Sequence, residues 1–463
     1  MTERHAVFAP GSSRRRAMRL GIVSGVLWSV GAGLTGGELI RYLALDLGAA
    51  GFSFGFILAM PALAGLLRMG TPAVIRWTGS AKRACLAAHA AASTLLLLLL
   101  PAVGQVERPS AVVSLVGLLC ATHVLSAVGI AAYWTWWGDI VPRRIRGRYF
   151  GRVQIWQLIA LIPTLWAFGR FTDLWLARHA RSPWSTYLQG YAIPNGIGAG
   201  LLLLSLVPLA LVPATRSLPR SRFDRWSSLW LPLTDRRFRR FLIFHGWFSM
   251  ANGLTQAAQT IFGKLVLHLG VGDMALMGNT MRGGQIAYTG WAGPFSDRFG
   301  NRPVLVLSQW FVGLAMLFYL FASPGPAWRV WLPIGAYICW SAYAGHNVCL
   351  PNLALKLAPD EHRAAYLAAH EAVGAVAYAM ASGISGFLAI RTVEYAEAVW
   401  QLHGAASYAP IFLAGLALRL AGVVFAAKIR EPASRSWGDI LRTWTARPSA
   451  NPEPVSLAAR AKE

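Results

Sequence analysis

An ionisable side chain at the centre of an apolar helix costs about 2.5 kcal/mol or more in a bilayer, so it persists where a partner, water or a ligand meets it. This chain has few such residues. Glu38 and Arg41 stand three apart in the apolar run 20–45. So spaced, they either neutralise each other as an i,i+3 pair with Arg41 snorkelling outward, or make Glu38 a proton or ligand site tuned by Arg41. Arg282 lies about nine residues into the run 273–295, about 13 Å deep at 1.5 Å per residue, with no acid beside it in sequence. It must face water, an anion or a carboxylate on another helix. Lys264 and Glu371 complete the deep charges. The mixture of signs favours a polar or anionic organic solute over a lipophilic cation.

Uncharged groups add to this set. Ser249, Asn252, Gln256 and Gln259 are spaced by three and four, one polar stripe on an apolar helix. Such a stripe either hydrogen-bonds a neighbouring helix or lines a cavity. His123, His346 and Asn347 sit in other apolar runs, each either a bonded structural group or part of a site. His370 and Glu371 lie about two turns from the end of theirs, where a gate would be. Trp134, Trp136 and Trp137 close the run 110–138 and are expected as interface anchors, with Trp134 alternatively capping a cavity.

The elements that must position these residues are about a dozen apolar stretches, at 20–45, 51–75, 84–104, 110–138, 149–176, 187–213, 239–268, 273–295, 303–323, 328–355, 365–390 and 407–428. Each is long enough for a membrane's hydrocarbon, which takes about 20 helical residues. The composition agrees: 55% hydrophobic and 13% charged over 463 residues. Lys and Arg gather in alternate connections: the N-terminus, loop 2–3 (Arg76, Lys82, Arg83), loop 4–5 (Arg143, Arg144, Arg146, Arg148), loop 6–7, loop 8–9 (Arg298, Arg302), loop 10–11 (Lys356, Arg363) and the tail. Basic loops stay in the cytoplasm, which predicts a multi-pass inner-membrane protein with both termini inside.

A net charge of +24 and a pI near 10.9 therefore follow from topology and contact with anionic lipid head groups. No basic groove interleaved with aromatics points to nucleic acid. The basic run before the first stretch resembles an export signal, but the apolar part continues to about Leu45, too long for a signal core. The GIGAG run at 196–200 lies inside an apolar helix with no strand before it, so it reads as close helix packing rather than a dinucleotide site. Cys85, Cys120, Cys339 and Cys349 fall inside the stretches with no CxxC and no ligand-spaced His, and read as small buried hydrophobes. No metal set and no phosphate-binding loop is present, so no cofactor is expected.

The chain also repeats itself. Pro142, Arg146 and Tyr149 after the fourth stretch recur as Pro359, Arg363 and Tyr366 after the tenth, at a shift of 217. Gly79 after the second falls on Gly300 after the eighth, at a shift of 221. Two six-helix halves of the same orientation follow. The expected division is 1–213, a basic linker 214–238 lying partly on the membrane face, 239–428, and a tail 429–463.

The segment GPFSDRFGNRP at 293–303 resembles the signature loop of the major facilitator superfamily, placed after helix 8. Its first-half copy, TPAVIRWTGSAKR, keeps Gly79 and the basic pair but has Arg76 where the Asp belongs. The RGRYFG run at 146–151 suits the same family. The resemblance implies an all-α fold of 12 transmembrane helices in two six-helix bundles, with alternating access about a central cavity lined by helices 1, 4, 7 and 10. Helix 5 lacks the Gly-Pro-rich motif of the family's drug–proton antiporters, and Pro213-Ala-Thr-Arg is only a distant echo of the sugar-porter run. The expectation is a secondary transporter, monomeric and not an enzyme, moving a small solute, with a proton as candidate coupling ion through Glu38 or Glu371. A transporter-like sensor that binds without flux and an integral-membrane transferase are the alternatives. The expected cytoplasmic gate comprises Arg76, Asp139, Arg146, Asp297, Arg298, Gly300, Arg302, Lys356 and Arg363, with ion pairs Arg76–Asp139 and Asp297–Lys356.

Overall fold

The structure, a computed structural model, describes residues 11–104, 108–142, 145–214, 230–326, 328–432 and 434–445. Helices dominate, and no strand occurs among these residues. Each apolar stretch becomes one helix or a broken series. Span 1 is Gly11–Leu34 with Gly37–Asp46, and span 2 is Gly51–Leu66 with Thr71–Thr78. Spans 3 to 6 are Ala81–Gly104, Arg108–Ile140, Arg146–Arg178 and Trp184–Ala210. Span 7 is Arg236–Leu254 continued by Gln256–Ile261 and the π-helical turn Phe262–Val266. Spans 8 and 9 are Val271–Phe299 and Asn301–Phe321. Span 10 is Trp328–Trp340 with Tyr343–Leu357, span 11 is Arg363–Trp400, and span 12 is Ala409–Ala427.

Seven spans are long and apolar enough to cross a membrane as they stand, and span 2 joins them if its two pieces, bent by 62°, count as one. Spans 5, 7, 8 and 10 fall short. All four line the cavity described below, and their polar residues dilute the apolar run.

The turns are built where the repeat puts them. Gly79 (φ +71°) and Gly300 (φ +93°) both adopt the left-handed backbone that glycine takes without steric cost, each at the sharp turn into the next span. Asp235 caps span 7, accepting from the backbone N–H of Arg237 at 2.8 Å and Phe238 at 3.4 Å.

Within the first six spans, 1 packs on 5 and 6, and 3 on 4 and 6; within the last six, 7 packs on 11, and 9 on 10 and 12. Two seams join the halves, span 2 against span 11 and span 5 against span 8. Small residues bring the backbones together there. Gly55 faces the carbonyls of Ser382 and Gly383, Gly386 faces Gly51, and Gly169 faces Gly272, with no room for a Cβ at any of them. Gly198 of the GIGAG run is wedged against Leu34, Thr35 and Gly31 of span 1, as expected for packing glycines.

Some expectations change. Trp136 and Trp137 are fully buried rather than interface anchors. The Trp136 indole donates to the Pro213 carbonyl at 3.0 Å, and Trp137 stacks on Tyr149. Only Trp134 is exposed, at 54%. Cys85 and Cys349 are buried, whereas Cys120 is exposed on the flank of span 4. Linker residues 215–229 lie outside the described residues, as do Arg143 and Arg144. Of the tail, Trp437–Thr445 forms a short helix docked on spans 8 and 9. The Trp437 indole donates to Pro303 and its ring stacks on Phe295, while Ile440 is fully buried.

Candidate functional site

Spans 1, 7 and 10 are each broken, and residues at or beside the breaks line one cavity of about 830 Å³ between the halves. In span 1 the break is Thr35-Gly36-Gly37, with Gly37 at φ +57°. In span 7 it is Thr255, and in span 10 it is Ser341-Ala342. Broken helices are how a transporter exposes backbone and polar side chains at depth without stranding them in lipid.

The second half lines this cavity with Ser249, Asn252, Gln256 and Gln259 of span 7, Arg282 and Gln285 of span 8, Tyr337 and Asn347 of span 10, and Arg419 of span 12. The whole predicted stripe of span 7 thus faces one space. Tyr343 donates to Asn252 Oδ1 at 2.6 Å, and Gln259 Nε2 to Thr255 Oγ1 at 2.8 Å. Arg282 donates from Nη1 to Asn279 Oδ1 at 3.1 Å, and no ion pair among the described residues includes it.

Arg419 is the residue that the sequence reading missed. Its side chain is almost completely buried, donating from Nη2 to Thr255 Oγ1 at 2.8 Å and from Nη1 to the Gly415 carbonyl at 3.3 Å. Its Nε is buried without a partner. The signal was available: Arg419 is a charge in the middle of Ala409–Ala427, the same criterion that singled out Arg282.

The first half contributes Glu38 and Arg41. The guanidinium Nη1 donates to Glu38 Oε1 at 2.6 Å, so the i,i+3 pair forms. Both residues nevertheless line the cavity, and Glu38 Oε2 is buried with no partner. Pairing and cavity lining hold together. Three arginines and one glutamate face this space, a formal excess of positive charge.

Other candidates lie elsewhere. His346 is buried, stacked 4.2 Å from Phe248, with Nε2 3.0 Å from Gln309 Oε1. Gln309 in turn donates to the Arg419 carbonyl at 2.8 Å, so His346 props the helix that carries Arg419. His370 packs between Phe241 and His245, with ring centroids 5.1 and 4.1 Å away, and Glu371 next to it is exposed. His123 faces a separate pocket of about 290 Å³ inside the first half. No residue of span 4 lines the central cavity.

The halves are bonded together at the end of the molecule opposite the basic loops. Lys264 of span 7 donates to Asp46 Oδ1 at 2.6 Å and to the Tyr42 carbonyl at 2.7 Å, both on span 1. Tyr187 and Tyr191 of span 6 donate to the other oxygen of Asp46. Asp173 of span 5 accepts from the first backbone N–H groups of span 8, Val271 at 2.6 Å and Gly272 at 2.9 Å. This carboxylate caps an open helix N-terminus, favourable for both hydrogen bonding and the helix dipole. Deeper in, Asn279 Nδ2 donates to the Ile162 carbonyl at 2.8 Å.

At the basic end the expected pairs are replaced. Lys356 bonds Glu431 Oε1 at 2.9 Å rather than Asp297. Glu431 also accepts from Asn301 Nδ2 at 2.8 Å and from the Arg302 backbone N–H at 2.9 Å, so it clamps the turn after Gly300 to spans 10 and 12. Asp297 and Arg298 are exposed, Arg298 lying over the Phe299 ring. Arg76 is exposed, and the ion pairs of the described residues do not include Arg76 with Asp139. Arg146 donates to the Gly138 carbonyl at 2.7 Å and ties the end of span 4 to the start of span 5. Arg363 is exposed at the start of span 11.

No protein-family model and no curated protein sequence matches the chain. Solved structures do. A point mutant of the nucleoside transporter NupG is 18% identical, with TM-score 0.63 over 90% of this chain and 100% of that one. A D-xylose–proton symporter is 14% identical, with TM-score 0.64 over 90% and 98%. A bacterial homologue of the iron transporter ferroportin, in an inward-facing state, is 14% identical, with TM-score 0.64 over 91% and 99%. Twelve spans in two halves around a shared cavity, superposable over nine-tenths of the chain on these transporters, give this protein the major facilitator superfamily fold.

Proposed function

We propose that this protein is a secondary transporter of a small organic anion, with residues 1–213 and 239–428 as its two moving bundles. The observation that carries the substrate class is the charge of the central cavity: Arg41, Arg282 and Arg419 against Glu38 alone. Arg282 and Arg419 have hydrogen-bond partners but no carboxylate among the described residues. A ligand anion would supply the missing charge, and guanidinium forks suit a carboxylate or phosphate. At about 830 Å³ the cavity falls in the range of small-molecule sites.

The basic loops support a reading with both termini in the cytoplasm of an inner membrane. The bonds between the halves at the opposite end then hold the outer side shut, which makes this an inward-facing arrangement. Glu38, with one oxygen on Arg41 and the other unpartnered, is suited to carry a coupling proton.

The test is a thermal-shift comparison of purified protein with succinate, benzoate, inorganic phosphate, xylose and uridine. A ligand at 100 times its Kd adds about 2.7 kcal/mol to stability. Stabilisation by an anion, absent in Arg282→Ala, is expected, followed by counterflow of that anion in proteoliposomes. Stabilisation by xylose or uridine alone overturns the anion reading.

A further inference from the structure

The second cavity has chemistry that the central one does not explain. It lies inside the first six spans, with a volume of about 290 Å³, and Trp28, Ala32, Gly36, Gly37 and Arg41 line both spaces. The common wall is therefore the broken stretch of span 1. That wall is thin at its centre, where Gly36 and Gly37 carry no side chains and a Cβ added at Gly37 would meet nothing within 4 Å. Most of the pocket is apolar, with Ile57, Leu58, Leu96, Leu119 and Leu202 among its walls.

Polar residues enter it from three spans: Thr35 of span 1 and His89 and Ser93 of span 3 line it, with the Thr35 and Ser93 hydroxyls bonded to carbonyls of their own helices. Thr122, His123 and Ser126 of span 4 project into the pocket. Thr122 and Ser126 are four residues apart, so they share a helix face. Thr122 is 4% exposed and its hydroxyl is buried without a hydrogen-bond partner. His123 and Ser126 beside it are half-buried and make no hydrogen bond among the described residues. A buried hydroxyl left unpaired costs about 1–3 kcal/mol, so Thr122 needs something polar to bond.

Phe262, Tyr319, Trp340 and Phe412, from spans 7, 9, 10 and 12, form an aromatic cluster in the second half, with Tyr319 5.7 Å from Trp340 and 5.3 Å from Phe412 between ring centroids.

We infer that the hollow in the first bundle is a specificity subsite, which receives the uncharged, hydroxyl- or carbonyl-bearing end of the anion whose charged end lies among the central arginines. This rests on the anion reading of the central cavity. The charged end stays with Arg282 and Arg419 in the central cavity, while the neutral end reaches past Gly36 and Gly37, which line both spaces. Thr122, His123 and Ser126 then bond its hydroxyl. A volume of about 290 Å³ equals about ten waters at ~30 Å³ each, room for a single ring or a short branched chain.

The experiment uses the full chain with Cys85, Cys120, Cys339 and Cys349 replaced by Ala, carrying either Ser126→Cys or Asn252→Cys. Position 126 reports the side pocket and position 252 the central cavity. The reagent is sulfonatoethyl methanethiosulfonate, a small anion, with 4-hydroxybenzoate and benzoate as protecting probes. We expect labelling at both positions, both slowed by 4-hydroxybenzoate. At 126, half-protection by 4-hydroxybenzoate should need a concentration about two- to tenfold lower than benzoate, the value of one hydroxyl hydrogen bond. Thr122→Val should remove that difference. Protection at 252 without protection at 126, or equal protection by the two probes at 126, overturns the subsite and leaves the anion reading intact. No protection at either position overturns both.

Discussion

The two halves share an architecture and differ in how they treat polarity. The first half presents Glu38 and Arg41, which pair with each other, and encloses a hollow with an unbonded threonine hydroxyl. The second half presents two arginines without a carboxylate, a stripe of amides, and a core closed by aromatic rings. Charge that is compensated within one bundle adds little net field to the cavity. Charge held only by neutral hydrogen-bond partners keeps its field for a ligand. On this view the second half binds the charge of the solute, and the first selects its neutral part and handles protons.

The contrast breaks most visibly at Arg282. Arg282→Ala should cut uptake of the anion by about 10–150-fold, the worth of a hydrogen bond to a charged group, while expression and melting stay near wild type. Arg282→Lys should also fail substantially, because a point charge does not replace a planar fork. Normal uptake by the Ala variant would move anion binding away from the second half.

Glu38 tests the other side. Glu38→Gln should retain solute exchange yet lose accumulation driven by a pH gradient, since the amide mimics a protonated carboxyl that never releases its proton. Unchanged accumulation would leave Glu38 only its structural pairing with Arg41.

A smaller effect is expected at the seam between the halves. Asp46→Asn and Lys264→Met each break the bond that joins span 1 to span 7. In a double-mutant cycle read by thermal unfolding, the coupling should be about 0.5–3 kcal/mol. Reagents added from outside should also reach Asn252→Cys faster in either variant. Additive effects would remove this pair from the outer closure.

The smallest effect concerns the exposed loops. Arg76→Asp and Asp139→Arg should combine additively within about 0.5 kcal/mol, because the structure does not pair them. Lys356→Met and Glu431→Gln should not, since they share a bonded carboxylate. Strong coupling between positions 76 and 139 would show that the pair forms in another state of the cycle.

Local rules were enough for much of this. Arg282, the span 7 stripe and the Glu38–Arg41 pair were legible because a charge or an amide every three or four residues stands out against an apolar helix. Gly79 and Gly300 were legible as repeat positions, and both prove to need positive φ. The same rules misplaced Lys356 and two of the tryptophans. Lys356 had a carboxylate 59 positions away in the repeat scheme, but its partner Glu431 comes from beyond span 12. Trp136 and Trp137 have the composition of an interface belt, yet packing against Tyr149 and the Pro213 carbonyl buries them.

By itself the sequence determined which stretches are apolar helices and, Arg419 apart, which charges sit deep among them. Those follow from transfer free energy along one helix, which depends only on neighbouring residues. Tertiary structure alone decided which polar faces meet. It brought Arg419 beside Thr255, and Asp173 onto the N-terminus of span 8. It also set Thr122 over a void and packed Tyr319 against Trp340. The direction of a side chain around a helix matters only once a second helix packs against it, and that partner can lie anywhere in the chain.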